Sequence, residues 1–479
     1  MRFPSLLALF ALLPSVAQAQ PPLEGIEPLG ANSSDGFTLR YTIERIEVRG
    51  SHKTRTDLIL REVALSPGDT VTADDTRVER ARLRLLALGY FLDARLFMIK
   101  GERRGGAVLV IEVEERGTII LNAVHLGTSE ATTLWGGLDV SERNLLGRGL
   151  TLGAGFVSST RPKVDGAEPA LAFSLRMAGP PRLHGLLFSG SALFSQGSEF
   201  FRARGASDQP APADFVALNV RRAGGVVGAG TVLSRTAYLL AEGRFEAVRA
   251  DLPTLRERDL GQGQSEPIAF LAREGSSRLG SLALTLDLDS RSDPVLPRAG
   301  QHLVVSLEAA TPACGSQYTF VKATAQGSLY FPLSVGHVFA VHGLLGGVVG
   351  DAPYFDRFFV GDLNLLLPPR AYGINFSTQP SPNLLGTGVA DHRYDKLAGR
   401  LLLEYAVPLW HRHGLFYRGD AFAALGIFAL TNPDDLRQPG ASLGQRLPAD
   451  LTADLGLRLD TYIGIFTLSV ANALGRLPL

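Results

Sequence analysis

From about residue 118 to the C-terminus, apolar and polar residues alternate in segments of about ten residues, separated by polar or glycine-rich stretches. Leu401, Leu403 and Tyr405, for example, fall on one face of an extended strand, whereas Glu404 falls on the other. Because successive side chains of a strand point to opposite faces, each such segment has one apolar and one polar face. The pattern predicts antiparallel β-structure and fits a soluble sandwich and a membrane barrel equally well.

The N-terminus predicts export from the cytoplasm. Arg2 supplies a positive charge, the stretch 6–16 is apolar, and Ala17-Gln18-Ala19 has the small-x-small pattern of a cleavage site. Residues 1–19 are therefore predicted to be a secretory signal peptide. No later stretch has the roughly 18 consecutive apolar residues that a membrane-spanning helix needs.

Three features together favour a membrane barrel over a sandwich. The chain is predicted to be exported, its single cysteine, Cys314, cannot form an intramolecular disulfide, and its segments match the length of membrane-spanning strands. A closed barrel also leaves no unpaired strand edge in lipid. Residues 117–479 are therefore predicted to form a transmembrane antiparallel β-barrel of about 16 strands, so that the protein is mainly β.

The region before the barrel has a different pattern. Residues 20–40 are rich in proline, glycine and serine and are predicted to be a linker. Residues 41–116 read as strand, two amphipathic helices and two strands, which predicts a small α+β domain. Its "LGYF" and closing "VLVIEVEE" resemble a POTRA domain. This resemblance implies a periplasmic location and an exposed strand edge that binds incoming polypeptide.

Four stretches of the barrel region resemble BamA/TamA-type outer-membrane β-barrel assembly proteins. They are "LDVSERNLLGRG" (138–149), "LDSRSDPVLPRAG" (288–300), "RFFVGDLNLLLPPRAYG" (357–373) and "LLLEYAVPL" (401–409). The family's early hairpin corresponds to Asn144, Gly147 and Gly149. Its proline-containing turn corresponds to Asp289, Arg291, Pro294, Pro297 and Gly300. Its in-folded loop corresponds to Gly361, Arg370, Ala371 and Tyr372.

The resemblance implies that Arg370 lies inside the barrel and binds acidic groups of the inner wall. Glu404 is the expected partner and Asp420 is a second candidate. Phe422 and Gly426, in the same stretch as Asp420, are also predicted to face Arg370 in the lumen. This sequence departs from the family pattern at three positions: Asp362 replaces the second glycine of a Gly-Gly pair, Ala371 replaces a glycine, and Ala424 replaces an inward aspartate. Ala371 would change the loop tip if a positive φ were needed there.

The family resemblance also implies a non-enzymatic function. The expected activity is insertion of outer-membrane proteins, with unfolded clients, membrane lipid and accessory lipoproteins as partners and without ATP, metal or cofactor. A secretion transporter for one exported protein and a passive porin are the alternatives. The balance of 47 basic and 47 acidic residues gives no charge for nucleic-acid binding. Relatives end in a strand with an aromatic terminus, whereas this sequence ends in "SVANALGRLPL". Three explanations stay open: the strand registry is shifted, the chain pairs with another chain, or the sequence is truncated before its closing strand.

Overall fold

The computed structural model of the chain describes residues 40–471, except 73–74, 180–185, 205–210, 235, 294–295, 365–369, 412–415, 438–439, 441 and 462. The predicted signal peptide (1–19) lies outside these residues, as does the predicted linker apart from its last residue.

The N-terminal domain is a four-stranded sheet covered by two helices. Its elements are β1 (Arg40–Arg49), α1 (Thr56–Val63), β2 (Thr70–Thr72), α2 (Thr76–Ala87), β3 (Phe91–Lys100) and β4 (Gly106–Glu115). The strand order is β2-β1-β4-β3, and β1 runs parallel to β4. Ile59, Leu85 and Ile111 pack in the core between sheet and helices. The predicted α+β domain is confirmed. The structure adds one strand that was not predicted, β2, which has only three residues and is too short for alternation to be recognised in the sequence.

The rest of the chain forms a 15-stranded antiparallel sheet in which each strand pairs with its neighbours in sequence. Its strands are β5 (Ile119–Gly127), β6 (Trp135–Leu145), β7 (Leu150–Ser159), β8 (Leu171–Ala178), β9 (Leu186–Arg202), β10 (Phe215–Ser234), β11 (Ala237–Asp251), β14 (Gly275–Asp289), β15 (Gly300–Ala310), β16 (Thr319–Pro332), β17 (Val338–Asp351), β20 (Leu397–His411), β21 (Phe416–Thr431), β22 (Ala449–Thr461) and β23 (Gly464–Ala471). Smaller elements lie in the connections: β12 (Glu257–Gly261), β13 (Gln264–Pro267), β18 (Phe358–Phe359), β19 (Tyr394–Asp395), α3 (Pro433–Leu436) and α4 (Leu443–Arg446).

The two edges of this sheet meet, so that the sheet closes into a barrel. The backbone N–H of Leu121 at the start of β5 donates to the carbonyl of Ile463, immediately before β23, over 2.7 Å. The predicted antiparallel barrel is therefore confirmed, and the described residues supply fifteen of the about 16 strands expected. We call the junction of β5 and β23 the seam.

The barrel wall has an apolar outside and a polar inside, as the alternation predicts. Leu282, Leu401 and Leu403 are exposed on the outer face, whereas Glu404 and Asp420 are buried on the inner face. This distribution is typical of a barrel whose outer surface contacts lipid. In the described part of the chain, no helix is long and apolar enough to cross a membrane.

Candidate functional site: the inner loop and the seam

The connection between β17 and β20 folds into the barrel, and we call residues 352–396 the inner loop. The Tyr372 hydroxyl in this loop donates to the Asp139 carboxylate on β6 over 2.5 Å. Elsewhere in the loop, two backbone N–H groups donate to the Asp450 carboxylate on β22 over 3.0 and 3.1 Å. Contacts with strands on both sides of the seam place the loop in the lumen.

The tip of the inner loop is a tight two-residue turn. The backbone groups of Ala371 and Ile374 exchange two hydrogen bonds of 3.0 Å, and the residues between them, Tyr372 and Gly373, have φ values of +52° and +79°. Turns of this kind need a positive φ at both central residues. Ala371 lies outside the two central positions, so alanine in place of the family's glycine is tolerated there.

Arg370 lies inside the barrel, but its partner is not the one predicted. Its guanidinium donates to the Asp362 carboxylate through Nη2 at 2.6 Å and Nε at 3.2 Å. The guanidinium carbon also lies 5.4 Å from the ring centre of Phe359 and 5.7 Å from that of Tyr394. The prediction that Glu404 or Asp420 binds Arg370 is therefore wrong, because the acceptor comes from the loop itself.

The predicted partners of Arg370 bind other arginines of the wall. Glu404 binds Arg458 on β22 with two contacts of 2.5 Å. The Arg458 guanidinium also covers the ring of Phe422, 4.1 Å from its centre. Asp420 forms an ion pair of 2.6 Å with Arg418, two residues away on β21. The four charged side chains and Phe422 thus form a separate cluster on the wall, in which Asp420 and Arg458 lie opposite each other on neighbouring strands.

Two departures from the family pattern explain the change of partner. Ala424, at the family's inward aspartate, is paired across the strands with Glu404, so that this part of the wall lacks one carboxylate. Asp362, at the family's second glycine, adds a carboxylate within reach of Arg370. Gly426 remains on the same strand, where an added Cβ would lie 2.7 Å from the Leu401 carbonyl oxygen. The carboxylate that accepts from Arg370 therefore belongs to the inner loop and not to the barrel wall.

The main ionic contact between the inner loop and the wall was not predicted from the sequence. Arg244 on β11 binds Asp356 of the loop at 2.8 Å, and it also binds Glu246 at 2.7 Å and Glu308 at 3.2 Å. Arg222 binds Glu246 from the neighbouring strand at 2.8 Å. The only signal in the sequence is that these charges fall on polar strand faces, which does not show which of them meet.

A second set of loop contacts involves a deeply buried carboxylate and an aromatic stack. Glu199 on β9 accepts from the Tyr394 hydroxyl at 2.7 Å and from Arg393 Nε at 2.9 Å. Nearer the tip, Phe376 stacks on Trp135 of β6, with ring centres 4.4 Å apart and planes 5° apart. The inner loop is thus held on β6, β9, β11 and β22.

The other two family motifs form turns at the barrel end that carries the N-terminal domain. The Asn144 side chain accepts from the backbone N–H of Gly149 at 2.8 Å, and Gly147 and Gly149 have φ values of +69° and +72°. In the second turn, Arg291 binds Asp289 at 2.6 Å. Gly300 has a φ of +99°, Pro297 lies in the turn, and Pro294 lies outside the described residues.

Within the described residues, the seam differs from every other junction between neighbouring strands of the barrel. β9 and β10, for example, pair continuously from Phe215 with Arg202 to Thr231 with Leu186. Between the described residues of the two seam edges, one backbone hydrogen bond is present, from Leu121 to Ile463. Over all the residues that the structure describes, no group of three or more histidine, cysteine or acidic side chains could hold a metal ion.

Replacing Arg370 by alanine should weaken the inner loop only moderately. The lost contacts are one ion pair to the half-exposed Asp362 and two cation–π contacts, which together predict a loss of about 1–2 kcal/mol. Chemical denaturation of the purified barrel, followed by tryptophan fluorescence, measures this loss. Asp362→Asn should have a similar effect, and the double variant should lose little more than Arg370→Ala alone. Glu404→Gln breaks the separate Arg458 pair, so its loss should add in full to that of Arg370→Ala. If the losses of Arg370→Ala and Asp362→Asn added in full in the double variant, the Asp362 assignment would be wrong.

A family model described as the Omp85 superfamily domain matches residues 144–476, which is more than half of the chain. The chain belongs to the Omp85 superfamily. A second model, the POTRA family described as the surface antigen variable number repeat, matches residues 41–116. This Omp85 barrel is an integral protein of the outer membrane, and its POTRA domain lies in the periplasm.

Individual relatives of this Omp85 protein are distant. The outer membrane protein assembly factor BamA of Nitratidesulfovibrio vulgaris is 24% identical over 337 residues, which cover 67% of this chain and 37% of that protein. BamA from Haemophilus ducreyi lacking POTRA domains 1–3 has a TM-score of 0.50 at 15% identity, covering 90% of this chain and 81% of that one. CdiB from Escherichia coli has a TM-score of 0.55 at 14% identity, covering 91% and 73%. These structures share the fold.

Proposed function

We propose that this protein folds other proteins into the outer membrane, with the POTRA domain receiving unfolded polypeptide and the seam providing a strand edge as template. The observation that carries the proposal is the weak seam, where one backbone hydrogen bond joins the described residues of the two edges. The assembly factor BamA, to which the chain is similar over 337 residues, is consistent with this function.

The energy for this reaction would come from the client protein. A strand edge inside a membrane leaves backbone N–H and C=O groups without water, so an open edge binds another strand strongly. Each client strand that pairs with β5 satisfies these groups and buries apolar side chains in lipid. The reaction then needs neither ATP nor a cofactor.

A transporter for one exported protein is the second candidate, because the barrel also shares its fold with CdiB. The inner loop argues against a passive porin, since its described residues lie in the lumen and contact β6, β9, β11 and β22. Depletion of the protein separates the first two functions. If the protein is an assembly factor, its depletion should cause broad loss of outer-membrane proteins. If it is a transporter, its depletion should cause loss of one secreted protein.

Locking the seam should stop insertion. Leu121→Cys and Ile463→Cys, in a Cys314→Ser background, place two thiols where the edges share their backbone hydrogen bond. We expect the oxidised protein in liposomes to insert a urea-unfolded outer-membrane barrel no faster than empty liposomes, because the edge of β5 stays covered. Reduction should restore insertion, and the heat-resistant fraction of the client on a gel measures it.

The single-cysteine variants treated with the same oxidant are the controls. A fully cross-linked double variant that inserts clients as fast as its reduced form would eliminate the seam as the template. If both forms were inactive and depletion removed one secreted protein, the transporter function would replace the proposal.

A further inference from the structure

The POTRA domain touches the barrel on both sides of the seam. The first contact is with the turn between β6 and β7, near the β5 edge. There the Asn144 side-chain amide donates to the Thr54 hydroxyl at 2.9 Å, and the Arg55 backbone N–H donates to the Gly147 carbonyl at 3.0 Å. A Cβ on Gly147 would lie 2.0 Å from the Lys53 carbonyl oxygen, so this contact requires glycine.

The POTRA segment in this contact is fixed from within its own domain. The Glu115 carboxylate at the end of β4 accepts from the backbone N–H groups of His52, Lys53 and Thr54 at 3.1, 2.9 and 2.7 Å. Burial alone would raise the pKa of Glu115, but these hydrogen bonds outweigh it and lower that pKa below its ordinary value. The segment 52–55 is therefore attached to the strand that leads into the barrel.

The second contact is on the other side of the seam and is made by Arg116. Its backbone N–H donates to the Tyr90 carbonyl of the POTRA domain at 2.9 Å. Its side chain binds Asp460 at the end of β22 at 3.0 Å and lies over the Tyr417 ring of β21, 5.4 Å from the ring centre. The Arg116 and Asp460 side chains are only 9% and 10% exposed. One residue thus joins the POTRA domain to the strands of the β23 edge.

We propose that the POTRA domain is a brace that holds the seam closed at its periplasmic end. It is attached to the β6–β7 turn on one side and to β22 on the other, so the two edges cannot separate there while both contacts persist. The seam itself contributes one backbone hydrogen bond between described residues. Arg116 is the central positioning residue because its backbone is bonded within the POTRA domain and its side chain binds Asp460 on the other side of the seam.

The brace has a consequence for insertion that rests on the proposed function. A client bound to the POTRA domain would act on the same domain that contacts both sides of the seam. Displacement of that domain would break the Arg116–Asp460 pair or the Thr54–Asn144 contact, and either loss would free one edge. Binding of a client to the POTRA domain would then be coupled directly to opening of the seam.

Distances across the seam test the brace without any client. Spin labels are placed at Val124→Cys on β5 and Leu468→Cys on β23, two strongly exposed outer positions, in a Cys314→Ser background in lipid nanodiscs. We expect one short-distance population in the parent protein. Arg116→Gln and Asp460→Asn should each add a population at longer distance. Arg116→Lys keeps the positive charge and should therefore retain most of the short-distance population of the parent protein.

Two further variants make the result decisive. Arg95→Gln removes an exposed ion pair with Asp93 on the POTRA surface and should leave the distances unchanged. Gly147→Ala acts on the other contact and should produce the same long population as Arg116→Gln. Samples are first checked for heat-resistant folding on a gel. Distances identical to the parent in folded Arg116→Gln, Asp460→Asn and Gly147→Ala proteins would overturn the brace, whether or not the protein inserts clients.

Discussion

Replacing Arg244 by alanine should release the inner loop and destabilise the barrel by about 3–5 kcal/mol. Arg244 is 14% exposed and neutralises Asp356 of the loop together with Glu246 and Glu308 of the wall. Its removal leaves three carboxylates close together in the lumen, and within the described part of the chain only Glu246 then keeps an arginine, Arg222. Loss of one partner from a buried ionic cluster costs far more than loss of a surface pair.

Trp135 reports this change directly, because it stacks on Phe376 of the inner loop. In a Trp410→Phe background Trp135 is the remaining tryptophan. Its emission should shift to longer wavelength in Arg244→Ala, and the denaturation midpoint should fall. Arg249→Ala on the same strand removes only an exposed pair with Asp251 and should cost about 0–1 kcal/mol. Equal effects of the two substitutions would show that Arg244 does not anchor the loop.

Replacing Gly155 by alanine should expel the tip of the inner loop from its site. A Cβ on Gly155 would lie 1.6 Å from the Tyr372 hydroxyl oxygen and 2.8 Å from the Asp139 carboxylate. Tyr372 would have to move, and its hydrogen bond to Asp139 would be lost. Overpacking alone costs about 1–3 kcal/mol, and the lost hydrogen bond to a carboxylate adds to it.

Protease accessibility and Trp135 fluorescence measure the released tip in Gly155→Ala. Gly343→Ala on β17 is the matched control, because a Cβ there meets no atom within 4 Å. We expect the control to keep both the parent fluorescence and the parent protease resistance. A Gly155→Ala protein with an unchanged Trp135 spectrum would mean that the tip does not occupy this site on the wall.

The fold class was predictable because it depends on patterns within single segments. A period of two residues identified the barrel, and alternation correctly assigned Leu401 to the outside and Glu404 to the inside. The small α+β domain was predictable for the same reason, since its helices and strands have different periods. None of these predictions requires knowledge of which strand lies opposite which.

The ionic partners in the lumen were not predictable, because they depend on strand register and on the path of the inner loop. Arg370 was singled out correctly as an inward arginine, but the choice between Glu404 and Asp362 depends on how the loop folds back on itself. Arg244 and Glu199 were missed altogether. Each is one of many charges on polar strand faces, and only the folded barrel brings them to the loop.

The fifteen described strands of the barrel have an unusual consequence for the seam. Because neighbouring strands alternate in direction, an odd number makes β5 and β23 run the same way. A hairpin with two strands could pair in antiparallel fashion with one edge but would meet the other edge in parallel. A single client strand running the opposite way could pair in antiparallel fashion with both edges at once. In the described part of the barrel, β5 and β23 therefore present the same orientation to any strand that pairs with them.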